Sequence, residues 1–298
     1  MDWKQIETQR GVYDWAAWDF WVAGVAAKRL RILPILYNTP PFYGPSRDVG
    51  SAPPKNMGAF GRFVRAAVAR YGPNGDFWRE NPQVPKVPIV SWQVWNEPSL
   101  RQYWPPRPNA RQYVRMLKVA YKSIKREDRR AEVVTAGIPD SRQAGAIPFR
   151  PYVTALYRAG GARWFDTLGV NLYAPSGKGV IKLLRVARKL MNSRRGKPSD
   201  RKGKMWLTEV GWGTAGPRHR FNLGAKRQAK EIRKLFKGAY KQRRKLKLRG
   251  IFYFSWQDNE PYPPNFADQW GLHTGLFSLN GKPKPGYRAF RSVAPRLK

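Results

Sequence analysis

The chain has 298 residues, with 57 Lys and Arg against 19 Asp and Glu and a formal net charge of +38. Its length suits one large α/β domain with a buried core, and 42 % hydrophobic residues exclude a disordered polyelectrolyte. The absence of Cys excludes disulfides and thiolate chemistry, and the two His, His219 and His273, are too few and too far apart for a His-based zinc site. No apolar run reaches membrane-spanning length and no signal peptide is visible. In chain order, the first pattern is "DWAAWDFWVAGVAAKRL", in which Trp15, Trp18, Trp21, Val22 and Val25 recur at helical spacing behind a capping Asp14. "RILPILY" (31–37) reads as a strand. Met57, Phe60, Val64, Ala67, Val68 and Tyr71 then mark an amphipathic helix stopped at Gly72.

The same alternation runs to the end of the chain. "VPIVSWQVWN" (87–96) is a strand, followed by a helix carrying Tyr113, Met116, Leu117, Ala120 and Ile124. "AEVVTAG" (131–137) precedes a helix around Tyr152–Tyr157, and "DTLGVNLY" (166–173) one around Val180–Met191. "MWLTEVG" (205–211) precedes a helix with Ile232, Leu235, Phe236, Ala239 and Tyr240. "GIFYFSW" (250–256) precedes a short helix near Pro285–Ser292. Repeated βα units predict a parallel sheet covered by helices, in a single domain spanning 1–298. "NSRRGKPSDRKGK" (192–204) is a basic connector. The loops after the strands, such as "NTPPFYGPSRDVGSAPP", "NEPSLRQYWPPRP", "GWGTAGPRHRFNLG" and "WQDNEPYPPNFADQWG", are long and rich in Pro, Gly and aromatics. In parallel α/β folds ligands bind at that end of the strands.

Two acids, Glu97 and Glu209, stand at predicted C-terminal strand ends, about three βα units apart. In a closed barrel they would face each other across the mouth. Cleavage of a glycosidic bond needs such a pair, one carboxyl protonated to serve the leaving oxygen and the other ionised. Partial burial and mutual repulsion push their pKa values apart and so assign the roles. A separation of about 5–5.5 Å would mean retention, and roughly 6.5–9.5 Å inversion.

These motifs carry a resemblance. "WNEPS" resembles the Asn-Glu-Pro signature of the clan A glycoside hydrolases, retaining enzymes built on a (β/α)8 barrel. "GVNLYAP", "WLTEVGW" and "FSWQD" look like that clan's sixth, seventh and eighth strands. The lead-in "IETQRGVYDWAAWD" and the ending "GLFSLNGKPKPGYRAF" are similar to bacterial family 39 and family 5-like members, so the resemblance covers nearly the whole chain. It implies Glu97 as general acid/base and Glu209 as nucleophile. It also implies Asn96 on the sugar 2-hydroxyl, Tyr173 bonded to Glu209, and Trp256 as a stacking platform. Aromatic faces pack on sugar C–H faces, which adds Trp104, Tyr103, Trp212 and Tyr37 as subsite candidates. Asp258 and Glu260, after Trp256, suit either hydroxyl binding or a turn.

Two departures stand out. Asn171 occupies a position where many clan members have His. The chain also starts late, with "DWKQIETQRGVYDW" at the end of the second barrel strand, so an N-terminally truncated (β/α)8 barrel with strands three to eight is expected. Any secretion signal would lie in the part not represented, and extracellular action is expected of such an enzyme. No cofactor or metal is implied, and a monomer is expected. Basic runs at 122–130, 182–204 and 226–249 fall on outer helices and connectors, where they suit docking to an anionic polymer. Two other classes remain: a carbohydrate-binding pseudoenzyme that keeps the Trp platforms without turnover, or an inactive fragment of such an enzyme, and a polyanion- or nucleic-acid-binding protein. Against the latter, aromatics and charge runs do not interleave.

Overall fold

In the computed structural model, which describes residues 1–44, 51–193, 202–261 and 267–294, short parallel strands alternate with helices. The strands are β1 (Ile35–Leu36), β2 (Ser91–Val94), β3 (Glu132–Thr135), β4 (Ile138–Pro139), β5 (Thr167–Asn171), β6 (Lys204–Val210) and β7 (Leu248–Tyr253). The helices are α1 (Trp3–Ile6), α2 (Ala16–Ala27), α3 (Met57–Tyr71), α4 (Asp76–Glu80), α5 (Ala110–Glu127), α6 (Phe149–Arg158), α7 (Gly177–Asn192), α8 (Ala225–Leu246) and α9 (Pro285–Val293). The chain divides into two compact units, Met1–Gly169 with Ser193–Gly203, and Val170–Asn192 with Lys204–Lys298. Apart from the two-residue β4, the six strands fall where the sequence pattern puts them, each followed by helix. This is the repeating unit of a (β/α)8 barrel, with strands three to eight represented.

In the first unit the sheet order is β1-β2-β3-β5, with β4 beside β5. The pairs are parallel, registered at Ile35 with Gln93, Ser91 with Glu132, and Val134 with Thr167. Ahead of β1, Asp2 makes an isolated parallel bridge to Tyr37. All of β2 and most of β3 are buried, as expected of parallel strands covered on both faces. The α5 helix explains this cover. Tyr113, Met116, Leu117, Ala120 and Ile124 form its buried face, while Arg111, Arg115, Lys118 and Lys122 are exposed. The Tyr113 hydroxyl donates to the Val94 carbonyl at 2.8 Å and accepts from the Ala136 amide at 2.6 Å, tying β2 to the end of β3. The side chains of Asn56 and Asn109 cap α3 and α5, which fixes where both helices start.

The α2 helix departs from its pattern. It begins at Ala16, with Trp15 in the cap position, and Asp14 instead accepts from the Ala16 amide at 2.9 Å. Only Val22 and Ala26 are buried, whereas Phe20 and Trp21 are exposed. The reason is a polar anchor. Asp19 turns toward α3, where it accepts from Arg70 Nε and the Tyr71 hydroxyl, both at 2.8 Å. That contact sets the rotation of the helix against its Trp spacing. The short α1 and α4 helices span too few residues to show a period, so sequence patterning does not announce them.

In the second unit β6 and β7 pair in parallel, with Leu207 opposite Ile251 and Val210 opposite Tyr253. The end of β5 runs beside β6, where Thr208 Oγ1 donates to the Val170 carbonyl at 3.2 Å and the Leu172 amide donates to the Glu209 carbonyl at 3.2 Å. Gly211 follows β6 because a Cβ there would lie 1.9 Å from the Phe254 carbonyl oxygen. On α8, Ile232, Leu235, Phe236 and Ala239 face inward, and Phe236 meets Phe290 of α9 edge-on at 5.4 Å. Of the basic connector at 192–204, residues 194–201 lie outside the described residues, as do 45–50 and 262–266 of two long loops. Among the described residues no helix is long and apolar enough to cross a membrane.

Candidate active site

In the first unit the site residues follow β2. The backbone there leaves ordinary φ space, with φ at +71° for Trp95 and +39° for Glu97. Side chains with a Cβ rarely adopt the left-handed region, and such strain clusters at functional sites. Neighbours hold it in place. The Trp95 amide donates to the Leu36 carbonyl at 2.9 Å and its Nε1 to the Tyr103 carbonyl at 2.9 Å. Its ring meets Phe60 at 6.0 Å and Trp104 at 6.1 Å, both edge-on. The Leu100 amide donates to the Glu97 carbonyl at 2.9 Å, closing a turn directly after the acid. Asn96 and Glu97 are half-buried. Asn96 Oδ1 is enclosed and has no hydrogen-bond partner among the described residues.

The aromatics around this strand end divide. Tyr37 and Tyr103 are half-buried, and burial, with Asp2 nearby, raises the Tyr37 hydroxyl above its ordinary range. Trp104 is different, and the expectation of a sugar platform fails for it. It is fully buried, packs edge-on against Trp95 and Tyr113, and donates from Nε1 to Gln112 Oε1 at 3.0 Å. A ring with no accessible face cannot stack on a sugar.

In the second unit Glu209 stands one residue before the end of β6. The Tyr173 hydroxyl donates to its Oε1, and Asn171 Nδ2 donates to its Oε2 at 3.2 Å. Asn171 is itself buried and oriented by Thr208, whose hydroxyl donates to Asn171 Oδ1 at 2.8 Å. Glu209 keeps part of its surface open, but protein crowds its carboxylate. Burial raises its pKa above the ordinary 4.5, and the Tyr173 hydrogen bond opposes that rise. The result is a carboxylate short of water but supplied with a donor on each oxygen.

Tyr173 is in turn boxed by residues that motif reading missed. Its ring meets Phe221 at 5.7 Å and Trp270, edge-on, at 5.4 Å, and His219 stacks parallel to Trp270 at 5.0 Å. Burial and the neighbouring Arg220 lower the His219 pKa. The only signal for this box was the aromatic content of the two loops that follow β6 and β7. Trp212, proposed as a platform, is fully buried and donates from Nε1 to the Ala174 carbonyl at 2.7 Å. It is a core residue, like Trp104.

Trp256 is the opposite case, 63 % exposed, with its ring resting on Phe277 at 4.7 Å. The loop that bears it is fastened by an ion pair. Lys284 Nζ lies 2.7 and 2.8 Å from the two Asp258 oxygens, 2.8 Å from Thr214 Oγ1 and 3.2 Å from the His273 carbonyl. Asp258 also accepts the Gly275 amide at 2.8 Å. This gives Asp258 a structural role, the turn alternative of the two weighed for it.

No protein-family model matches the chain, and no curated protein matches it. Solved structures do. A family 39 glycoside hydrolase from the gut symbiont Bacteroides cellulosilyticus WH2 aligns with a TM-score of 0.68 at 20 % identity, over 100 % of this chain and 57 % of that one. A GH39 β-xylosidase from Caulobacter crescentus gives 0.66 at 19 % identity, over 97 % of this chain and 60 % of that one. Xylanase 10B from Thermotoga petrophila RKU-1, in complex with xylobiose, gives 0.63 at 15 % identity, over 100 % and 84 %. At these identities the likeness is one of fold alone, the (β/α)-barrel fold of these glycoside hydrolase structures. The chain spans about 57–60 % of the length of the two family 39 structures.

Proposed function

We propose that this chain is a retaining β-glycosidase acting on a polysaccharide or oligosaccharide by double displacement. Glu209 attacks the anomeric carbon as its bond to the leaving oxygen breaks, and Glu97 delivers its proton to that oxygen. A covalent glycosyl-enzyme forms. Glu97, now ionised, takes a proton from water, and the water oxygen displaces Glu209 to release the sugar. Asn96, whose Oδ1 is enclosed and unpaired, holds the 2-hydroxyl, and Trp256 offers its open face to a sugar ring. Tyr173, whose hydrogen bond favours the ionised form, and Asn171 orient the nucleophile. Such an enzyme would meet its polymer outside the cell.

The observation that carries this reading is the environment of Glu209. A nucleophile must be ionised at working pH yet weakly hydrated, and here burial removes water while Tyr173 and Asn171 donate to its two oxygens. The test is a panel of activated 2-deoxy-2-fluoro glycosides of xylose, glucose, mannose and galactose, which trap a glycosyl-enzyme. Mass spectrometry of the digest should place the adduct on the peptide containing Glu209, identify the sugar by which member labels, and find none in Glu209→Gln. Hydrolysis undiminished in Glu209→Gln would refute the assignment. The exposed Trp256 supports a second reading, a carbohydrate-binding protein without turnover. Binding of oligosaccharides with neither adduct nor hydrolysis would favour it.

A further inference from the structure

The α8 helix carries ten Lys and Arg and a single acid. That acid, Glu231, is buried and engaged by the Gly177 amide at 2.9 Å and by Lys234 at 2.9 Å, so it does not balance the outer face. Lys226, Lys230, Arg233, Lys237, Lys241 and Arg244 are all exposed and lie four, three, four, four and three residues apart, which sets them in one row. Among the described residues none of these six forms an ion pair. A second row lies alongside on α7, which has five basic residues and no acid. Lys178, Lys182, Arg185 and Lys189 are exposed at the same spacing, and Arg185 Nε donates to Gln242 Oε1 of α8 at 2.8 Å.

Apart from Arg244, the charges of the α8 row do not serve the helix that bears them. Cations favour a helix C-terminus, which accounts for Arg243, Arg244 and Lys245, but Lys226 and Arg227 occupy the first turn, where the dipole repels them. Like charges four residues apart, as in Lys226 with Lys230, Arg233 with Lys237 and Lys237 with Lys241, also weaken a helix. From this arrangement we infer that the paired rows on α7 and α8 form a docking surface for an extended acidic polysaccharide. The six α8 cations recur about once per turn, roughly every 5.4 Å over about 27 Å of helix. A straight row on that scale matches a chain with one carboxylate or sulfate per sugar. Two alternatives fit less well. A single-stranded nucleic acid needs aromatic rings for its bases, and Tyr240, in the same helix, has the Arg243 guanidinium 3.7 Å above its ring. A membrane surface site needs an apolar face beside the charge, and the apolar side of α8 is buried in the fold.

The experiment compares two variants that remove five charges each. In K226Q/K230Q/R233Q/K237Q/K241Q five of the six cations of the α8 row are replaced by a residue of similar helix propensity. In R111Q/R115Q/K122Q/R126Q/R129Q five of the exposed cations on and just after α5 are removed instead. Binding of the full chain to immobilised polygalacturonate is measured from low to physiological salt, with dextran as the neutral control. The α8 variant should lose affinity by about tenfold or more and show a shallower salt dependence, and the α5 variant should lose less than about twofold. Thermal melts of the α8 variant should hold or rise, since repulsion is relieved. Glu209→Gln should bind polygalacturonate like the parent chain, so the outcome does not depend on turnover. Equal losses in the two variants would overturn the proposal in favour of a diffuse basic field. A duplex DNA bound more tightly than polygalacturonate, and released by the α8 substitutions, would overturn it in favour of a nucleic-acid surface.

Discussion

Replacing Lys284 by Met should destabilise the chain far more than its single lost charge suggests. The Lys284 and Asp258 side chains are 11 % and 13 % exposed. Burial lowers the Lys284 pKa more than Asp258 raises it, so the ammonium draws little net stability from its site. The cost of Lys284→Met comes instead from its partner. Asp258 would be left enclosed without its cation, with the Gly275 amide at 2.8 Å as the remaining donor to its side chain among the described residues. Breaking a buried pair from one side costs about 3–5 kcal/mol, whereas replacing both members with apolar groups is close to neutral. For a chain of this size that is a fall in melting temperature of about 5–10 °C. The assay is calorimetric melting of Lys284→Met, Asp258→Leu, the double variant, and Lys282→Met as an exposed control. The double variant should recover to within about 1 kcal/mol of the parent, a coupling that only touching groups produce. Lys284→Met melting with Lys282→Met, or a double variant equal to the sum of the singles, would refute the reasoning.

The Glu209 shift has a defined sign. Its folded pKa is raised, so the stability linked to its protonated form is complete below 4.5 and is lost as pH rises through the folded value. Glu209→Gln should therefore melt with the parent near about pH 4 and above it near about pH 8, and no divergence would contradict a buried carboxylate. Tyr173→Phe removes the hydrogen bond that opposes the Glu209 rise. The acid limb of the pH–rate profile should move to higher pH and turnover fall roughly ten- to hundredfold, while an unmoved limb would uncouple the two groups. Trp104→Ala should cost about 3–5 kcal/mol because a fully buried ring leaves a cavity. Trp256→Ala should cost less than about 1 kcal/mol but weaken oligosaccharide binding, measurable by calorimetric titration.

Strand-end acids, βα alternation and the long loops after the strands were legible because they rest on local rules. An apolar run ended by Glu97 or Glu209 marks a strand tip, and the period of Tyr113, Met116, Leu117, Ala120 and Ile124 marks the inner face of α5. For Trp21 the spacing misled for the same reason, while Trp15 packs on Phe63 and Tyr71 and Val22 is buried. A period shows which residues share a face, but the contact from Asp19 to Arg70 and Tyr71 decides which face turns inward.

Loops have no period at all. Trp104, Trp212 and Trp256 look alike in sequence, each close behind a strand in an aromatic loop, yet two are sealed in the core and one is open. Burial of a loop residue depends on chain segments far away in sequence, as when Trp212 finds the carbonyl of Ala174 and Asp258 finds Lys284. The sequence by itself determined the order of elements, the placement of two acids at strand ends and the excess of positive charge. Only the tertiary structure decided that Asn171 joins Tyr173 in donating to Glu209, that Trp95 and Glu97 take left-handed backbone, and that the α7 and α8 rows lie side by side. The physical reason is that composition and periodicity act along the chain, whereas desolvation, hydrogen-bond partnership and charge alignment are set by groups that only folding brings together.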